Sequence, residues 1–184
     1  MSYKNENMKM IELHENGLDI QFRIRENGVV ELADFSSQEV KKAIMEPKED
    51  ICYPAVEIHR SGTGSLNMHA YKNNINQSSA DFVYENHELK EQDGGKELEI
   101  VMVSPEKLKA VYHMRLFDGV PAVQTWTEII NEGSEDQGLT YVSSFMYQGI
   151  SRGGEKLIIK KQISMCRLTA GAVRHSGRNT MQKR

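Results

Sequence analysis

Histidine and cysteine side chains are considered first, because they ligate metals and act as nucleophiles or proton carriers. None of the six histidines has the spacing of a metal-binding motif such as H-E-x-x-H. Glu57 and His59 alternate along a predicted strand and would share one face, where a hydrogen-bonded pair is favoured over a metal site. Cys52 and Cys166 are too few for a disulfide framework or a zinc site of their own. The sequence therefore predicts no metal site and no cofactor.

No pattern predicts a catalytic site either. The chain has no G-x-S-x-G nucleophile elbow, and carboxylates are plentiful without a pair that the sequence places at glycosidase separation. Gly62-Thr63-Gly64-Ser65 is similar to a phosphate loop, but the Lys-Ser/Thr that should follow is missing, so a plain loop is expected. Trp126 is the one candidate sugar-binding residue, as a stacking platform. A place for Trp126 in the core is the favoured alternative.

Composition limits the class of protein. The chain has 184 residues, of which 39% are hydrophobic, and a net charge of −3. This is enough for one domain with a core of its own. No run approaches the roughly 20 apolar residues of a membrane helix, and the first ten residues lack the apolar segment of a secretory signal. We therefore expect a cytoplasmic protein without a membrane partner.

Hydrophobic alternation predicts mostly β structure. In Leu18–Ile24 the apolar residues alternate with polar ones, which is typical of a half-buried strand. Asn16-Gly17 and Asn27-Gly28 bracket this strand, and each Asn-Gly pair predicts a type I′ hairpin turn. One short helix is expected over Ser37–Met45. The further predicted strands are Met10–His14, Val29–Phe35, Ala55–His59, Asp81–Leu89, Leu98–Val103, Leu108–Phe117, Ala122–Ile130 and Leu139–Tyr147.

So many short strands separated by turn residues indicate an all-β, antiparallel sandwich. Several segments stand out beside this pattern: Tyr53–Ile58, Gly62–Gly64, Asp81–Tyr84 with His87–Leu89, Thr125–Gly133, Tyr141–Phe145 and the opening Ile11–Gly17. Together they resemble the N-terminal domain of glycoside hydrolase family 36, the α-galactosidases. The resemblance covers residues 8–155 and implies an incomplete β-supersandwich domain. In the family this domain packs beside a (β/α)₈ barrel and helps to form the mouth of the sugar pocket.

The resemblance implies a parent enzyme that hydrolyses terminal α-galactosyl residues of raffinose- and melibiose-type sugars. The family's two catalytic aspartates lie on the barrel, which needs about 250 residues, whereas 29 residues follow Glu155. We therefore expect no catalytic residue and no hydrolase activity in this chain, and a galactoside partner only in a complete enzyme. Many members of the family carry an Asp-aromatic-Arg segment near the galactose. This chain has Ser65-Leu66-Asn67 at that place, so the resemblance implies no sugar contact there. A non-catalytic carbohydrate-binding β-sandwich is the alternative.

Residues 156–184 differ in charge from the rest of the chain. From Glu155 onwards there are eight Lys/Arg and one acidic residue, whereas the preceding 154 residues hold 15 basic and 25 acidic ones. If one allowed codon is chosen for each residue from Leu157 to Thr180 and the bases are read one nucleotide upstream, the translated sequence contains Asn-Ser-Trp and Gly-Glu-Ala-Gln-Trp. Both elements resemble what members of the family carry just after this point. This predicts a frameshifted, disordered basic tail.

A nucleic-acid-binding arm is the less favoured interpretation of this tail, since it contains no aromatic residue. We therefore expect no nucleic-acid partner. A supersandwich that stops short would leave strand edges exposed, which predicts either a homo-oligomer formed through those edges or poor solubility.

Overall fold

The structure, a computed structural model, describes residues 9–37, 53–62 and 77–147. Within these ranges it contains three antiparallel sheets and a single one-turn helix, which confirms the predicted all-β class. The elements are β1 (Lys9–Glu15), β2 (Leu18–Ile24), β3 (Val30–Ser37), β4 (Ile58–Arg60), α1 (Gln77–Ala80), β5 (Val83–Gln92), β6 (Gly95–Val103), β7 (Leu108–Phe117), β8 (Val120–Asn131) and β9 (Leu139–Val142).

The first sheet has the order β1-β2-β3. Asn16 and Gly17 both have positive φ, 51° and 80°, and Glu15 pairs with Leu18, so the predicted type I′ turn is confirmed. At the second turn only Gly28 has positive φ, so the type I′ prediction for Asn27-Gly28 is wrong. There Gly28 N–H donates to Arg25 O, and the longer turn places Gly28 in the left-handed region.

The second sheet is a meander in the order β5-β6-β7-β8. It faces the first sheet across one core, in which Phe22 and Tyr112 meet edge to face with 5.7 Å between ring centroids. Burial raises the pKa of Tyr112, against the opposing effect of a hydrogen bond with Thr125. One face of each sheet is therefore apolar and covered, while the other face of β5–β8 is left for polar side chains.

The third sheet pairs β4 with β9 and corrects two predicted strands. Residues 55–57 lie outside β4: Ala55 N–H donates to Val30 O, which holds this buried segment against the edge of the first sheet. β9 ends at Val142 rather than at Tyr147. The chain turns inward there, and Phe145 and Tyr147 pack on Phe35 with centroid distances of 5.5 and 6.3 Å.

Several predictions concern residues outside the described ranges. They include nearly all of the helix expected over Ser37–Met45, of which the structure shows only Ser37, as the last residue of β3. The basic tail at 156–184 also lies outside, so its boundary and the extent of the domain stay predictions. Among the described residues, no helix is long and apolar enough to cross a membrane.

Candidate functional site

The outer face of the β5–β8 sheet carries a group of side chains that we name the His113 cluster: Glu97, Glu99, His113, Trp126 and Glu128. Leu98 and Ile100 of β6 point into the core, so Glu97 and Glu99, which alternate with them, point outward. The strand register then places Glu99 opposite His113, and His113 opposite Trp126. Three neighbouring strands thus bring these three residues into one row, and Glu97 and Glu128 lie two positions from it along their strands.

His113 lies at the centre of the cluster and is 8% exposed, although it is on the outer face. Its Nδ1 is 2.9 Å from Glu97 Oε1 and 3.8 Å from Glu99 Oε1. Its Nε2 is 3.9 Å from Glu128 Oε2, which is beyond hydrogen-bond distance. Nε2 is buried and has no hydrogen-bond partner among the described residues. One imidazole ring is therefore surrounded by three carboxylates.

Two side chains of β5 hold the outer oxygens of the paired carboxylates. Gln92 Nε2 donates to Glu97 Oε2 at 2.7 Å, and Lys90 Nζ lies 2.6 Å from Glu99 Oε2. The hydrogen bond to Glu99 raises the pKa of Lys90, against the opposing effect of desolvation. These contacts leave the Oε1 atoms of Glu97 and Glu99 as the oxygens that approach His113.

Trp126 stacks on His113, with ring centroids 4.7 Å apart and planes inclined by 5°. The expectation that Trp126 belongs to the core is wrong. The neighbouring positions Thr125 and Thr127 pair with Met114 and Tyr112 of the core, so Trp126 between them faces outward. β8 is the last strand of its sheet, so no strand of that sheet lies beyond the second face of the indole. Sugar binding by Trp126 stays a prediction.

A second group, which we name the His59 cluster, consists of Glu57, His59 and Tyr141. His59 Nε2 and Glu57 Oε1 are 2.7 Å apart, so the hydrogen-bonded pair expected from the sequence is confirmed. Tyr141 of β9 lies beside His59, with centroids 5.1 Å apart and planes inclined by 54°. Within the described ranges a single carboxylate contacts this imidazole, and the ring is more exposed than that of His113.

Sequence reasoning missed the His113 cluster and predicted no metal site. In the structure, donor atoms of Glu97, Glu99 and His113 all lie within 4.8 Å of one another, as metal ligands require. The only local signal was Glu97-Leu98-Glu99, at the start of the strand predicted from Leu98. The 13 residues between Glu99 and His113 correspond to no ligand motif, and the proximity of Glu99 to His113 depends on the hairpin register. The Gly62–Ser65 loop lies almost wholly outside the described residues.

Comparisons with known proteins were made by sequence and by structure. No family model matches the chain, and no curated protein matches it at a significant level. Among solved structures, the chain is similar to the family GH36 α-galactosidase AgaA from Geobacillus stearothermophilus, with a TM-score of 0.42 and 13% sequence identity. The match covers 69% of this chain and 23% of that chain, so this chain spans less than a quarter of the enzyme's length.

Proposed function

We propose that the chain is the non-catalytic β domain of a glycoside hydrolase of the family 36 type, whose complete enzyme removes terminal α-galactosyl residues. In this role the domain packs beside a catalytic barrel and contributes to the entrance of the sugar pocket. The segments quoted above for the resemblance support the proposal. Where the structure describes them, these segments contribute to packing and hydrogen bonding, as expected of motifs that are structural rather than catalytic.

The observation that carries the proposal is the way three of these segments meet at Ser143, which is buried. Glu57 N–H donates to Ser143 Oγ at 2.7 Å, and Ser143 N–H donates to Glu57 O at 2.8 Å. Thr127 Oγ1 donates to Ser143 O at 2.9 Å. The segments lie far apart in sequence, yet residues from all three satisfy one another's polar groups. A shared structural role for the quoted motifs explains this convergence.

The first experiment tests the absence of catalysis. A retaining glycosidase needs two carboxyl groups about 5 Å apart across the scissile bond, one as nucleophile and one as acid and base. The resemblance assigns both to the barrel and neither to this chain. We expect the purified chain to release no p-nitrophenol from p-nitrophenyl α-galactoside above a buffer blank. Turnover that follows the protein through purification would contradict the proposal.

The second experiment tests the relation to a barrel. The source DNA is sequenced from codon 150 through the stop codon and onward. We expect an insertion or deletion near codon 156, followed by the Asn-Ser-Trp and Gly-Glu-Ala-Gln-Trp elements and by barrel-coding sequence. An intact frame ending at Arg184, without barrel coding behind it, would argue against an enzyme fragment and in favour of an independent binding module.

Trp126 favours a second candidate function, the binding of a carbohydrate by this chain itself. Sugar rings stack on exposed aromatic faces, and polar side chains beside the ring accept and donate hydrogen bonds to hydroxyl groups. Trp126 has one face against His113 and lies in a polar surface near Glu128. Only the face of the indole directed away from His113 is available for stacking.

Calorimetric titration with galactose and raffinose distinguishes the two functions. A carbohydrate-binding module predicts measurable heat that Trp126→Ala removes and Tyr141→Ala retains, because Tyr141 is the matched aromatic residue of the His59 cluster. The proposed structural domain predicts no heat with either sugar. Loss of binding in both variants would place the sugar elsewhere and contradict the assignment to Trp126.

A further inference from the structure

We infer that the His113 cluster is a binding site for a divalent metal ion, with Zn²⁺ as the best match to its donor atoms. Imidazole nitrogen and carboxylate oxygen are both ordinary zinc ligands, and three protein ligands with a water molecule complete a tetrahedral site. The ligands are His113 Nδ1, Glu97 Oε1 and Glu99 Oε1. This inference does not depend on the proposed function.

The first argument is the spacing of the donor atoms. Two ligands about 2.1 Å from a tetrahedral zinc ion are about 3.4 Å from each other. The distances from His113 Nδ1 to the two carboxylate oxygens are 2.9 and 3.8 Å, which lie on either side of that value. Changes of about half an ångström bring both of these distances to the tetrahedral value, and the donor atoms of the two glutamates lie within 4.8 Å of each other.

The second argument is the buried, unpartnered nitrogen of His113. A neutral imidazole has one protonated nitrogen and one lone pair. With the proton on Nδ1, the lone pair of Nε2 is buried and faces the carboxylate of Glu128 at 3.9 Å. With the proton on Nε2, the lone pair of Nδ1 faces Glu97 and Glu99. Either neutral tautomer therefore directs a lone pair at a carboxylate, and a metal ion between the ring and the carboxylates would accept that lone pair.

The position of the carboxylates decides where that cation binds. Two of them converge on Nδ1, whereas the single carboxylate near Nε2 is more distant and is exposed. A metal on Nδ1 leaves the proton on Nε2, from which it can be donated to Glu128 after a small movement. A carboxylate that accepts the other N–H of a ligating histidine is a common support of metal sites.

The surroundings of the ligands also fit a metal. Gln92 and Lys90 hold the outer oxygens of Glu97 and Glu99, which fixes the orientation of both carboxylates. Lys90 also lies 3.6 Å from Glu88, and Arg115 pairs opposite Glu97. With Glu97, Glu99 and Glu128, the surface around His113 therefore has four carboxylates beside these two basic side chains. This charge favours a cation at the centre.

The test is zinc titration of the full chain, in a background with Cys52→Ser and Cys166→Ser that removes competing thiolates. Calorimetry gives the stoichiometry, and the fluorescence of Trp126, the only tryptophan, reports on the ring stacked against it. We expect one ion per chain, a change in fluorescence on binding, and a higher melting temperature with Zn²⁺ than with EDTA. Co²⁺ at the same site should give the intense visible absorption of a tetrahedral complex.

The variants identify the ligands. His113→Asn should abolish binding, and Glu99→Gln, at a more exposed position that tolerates substitution, should weaken it at least tenfold. His59→Asn is the matched control and should bind zinc like the parent. The inference is overturned if the parent chain binds no zinc, or if Glu99→Gln binds it unchanged. Loss of binding in His59→Asn alone would assign the ion to the other cluster and overturn it as well.

Discussion

The His59 and His113 clusters contain the same types of residue but differ in how they are assembled. Each places a histidine between glutamate and an aromatic ring on a sheet surface. Glu57 and His59 are two residues apart on one segment, and their imidazole has one carboxylate neighbour. Glu97 and His113 come from different strands, and three carboxylates surround the second imidazole. The strands on either side of His113 bury its imidazole and bring the additional carboxylates to it.

Similar residues on the surface of a sheet therefore differ in their chemistry according to how deeply they are buried and which side chains surround them. The side chain of His59 is partly exposed, so it exchanges water contacts for its hydrogen bond with Glu57, which has little net effect on stability. The strand that carries His113 lies between β6 and β8, and the side chains of Trp126 and Glu97 contact its imidazole. Water therefore screens the interactions of His113 less, and each missing hydrogen-bond partner costs more free energy.

The largest expected effect concerns the two histidines. His113→Ala removes a stacked ring and leaves the buried carboxylate of Glu97 without its cationic or donor partner, so we expect a loss of about 3 kcal/mol in the free energy of unfolding. His59→Ala should lose less than about 1 kcal/mol, because its ring is more exposed. Urea unfolding in EDTA measures both variants without a metal contribution. Equal losses would abolish the distinction between the clusters.

The aromatic residues give the next comparison. Trp126→Ala should lower the free energy of unfolding by about 2 kcal/mol, since it removes a parallel stack and the area that the indole covers. Tyr141 is 49% exposed and lies obliquely to His59, so Tyr141→Ala should cost about 0.5 kcal/mol. Differential scanning calorimetry of the two variants ranks them. A larger loss for Tyr141→Ala would contradict the assigned packing.

The glutamates give a smaller difference, because the substitutions keep the side-chain shape. Glu97→Gln removes the charge of a carboxylate that is 7% exposed and contacts His113 and Gln92, and we expect a loss of about 1 kcal/mol. Glu57→Gln should change the free energy of unfolding by less than about 0.5 kcal/mol. Urea unfolding at pH 7 in EDTA checks both. A stabilised Glu97→Gln would show that repulsion among the carboxylates dominates the cluster.

The smallest effect is the pH dependence of the contact between Lys90 and Glu99. The hydrogen bond with Glu99 raises the pKa of Lys90 above its ordinary value of 10.5, against the opposing effect of desolvation. A group whose pKa is raised on folding stabilises the fold fully below its unfolded pKa, and this contribution is lost as the pH rises through the folded pKa. The urea midpoints of the parent and Lys90→Met should therefore differ by a constant amount up to about pH 10 and converge above that. Convergence already below pH 9 would contradict the contact.

Much of the fold follows from local patterns. The bounds of β2 and β7 match their predicted ranges. Strict alternation and flanking turn residues define β2, whereas β7 is a largely apolar run bounded by turn residues on both sides. β4 and β9 were predicted too long. Residues 55–57 and 143–147 are apolar enough for strands, but their backbone bonds go to the first sheet and to each other rather than to a continuous ladder. Hydrophobicity alone does not distinguish these two outcomes.

Trp126 shows the same limit for a single side chain. Its size and apolar character favour the core, yet the strand register turns Thr125 and Thr127 inward instead. The hydroxyl of Tyr112 is buried in that core and forms a hydrogen bond with Thr125. A buried hydroxyl needs such a partner. Threonines therefore occupy the inward-facing positions in this part of β8, and the larger, more apolar Trp126 faces outward.

The sequence by itself determined the all-β class, the Asn16-Gly17 hairpin and the Glu57–His59 pair. Each of these depends on residues only a few positions apart, whose relation is fixed by the two-residue repeat of a strand or by the φ angles of a turn. Only the tertiary structure decided the His113 cluster. Its members meet because β6, β7 and β8 pair in one particular register, and a shift of one residue would turn each of them to the opposite face.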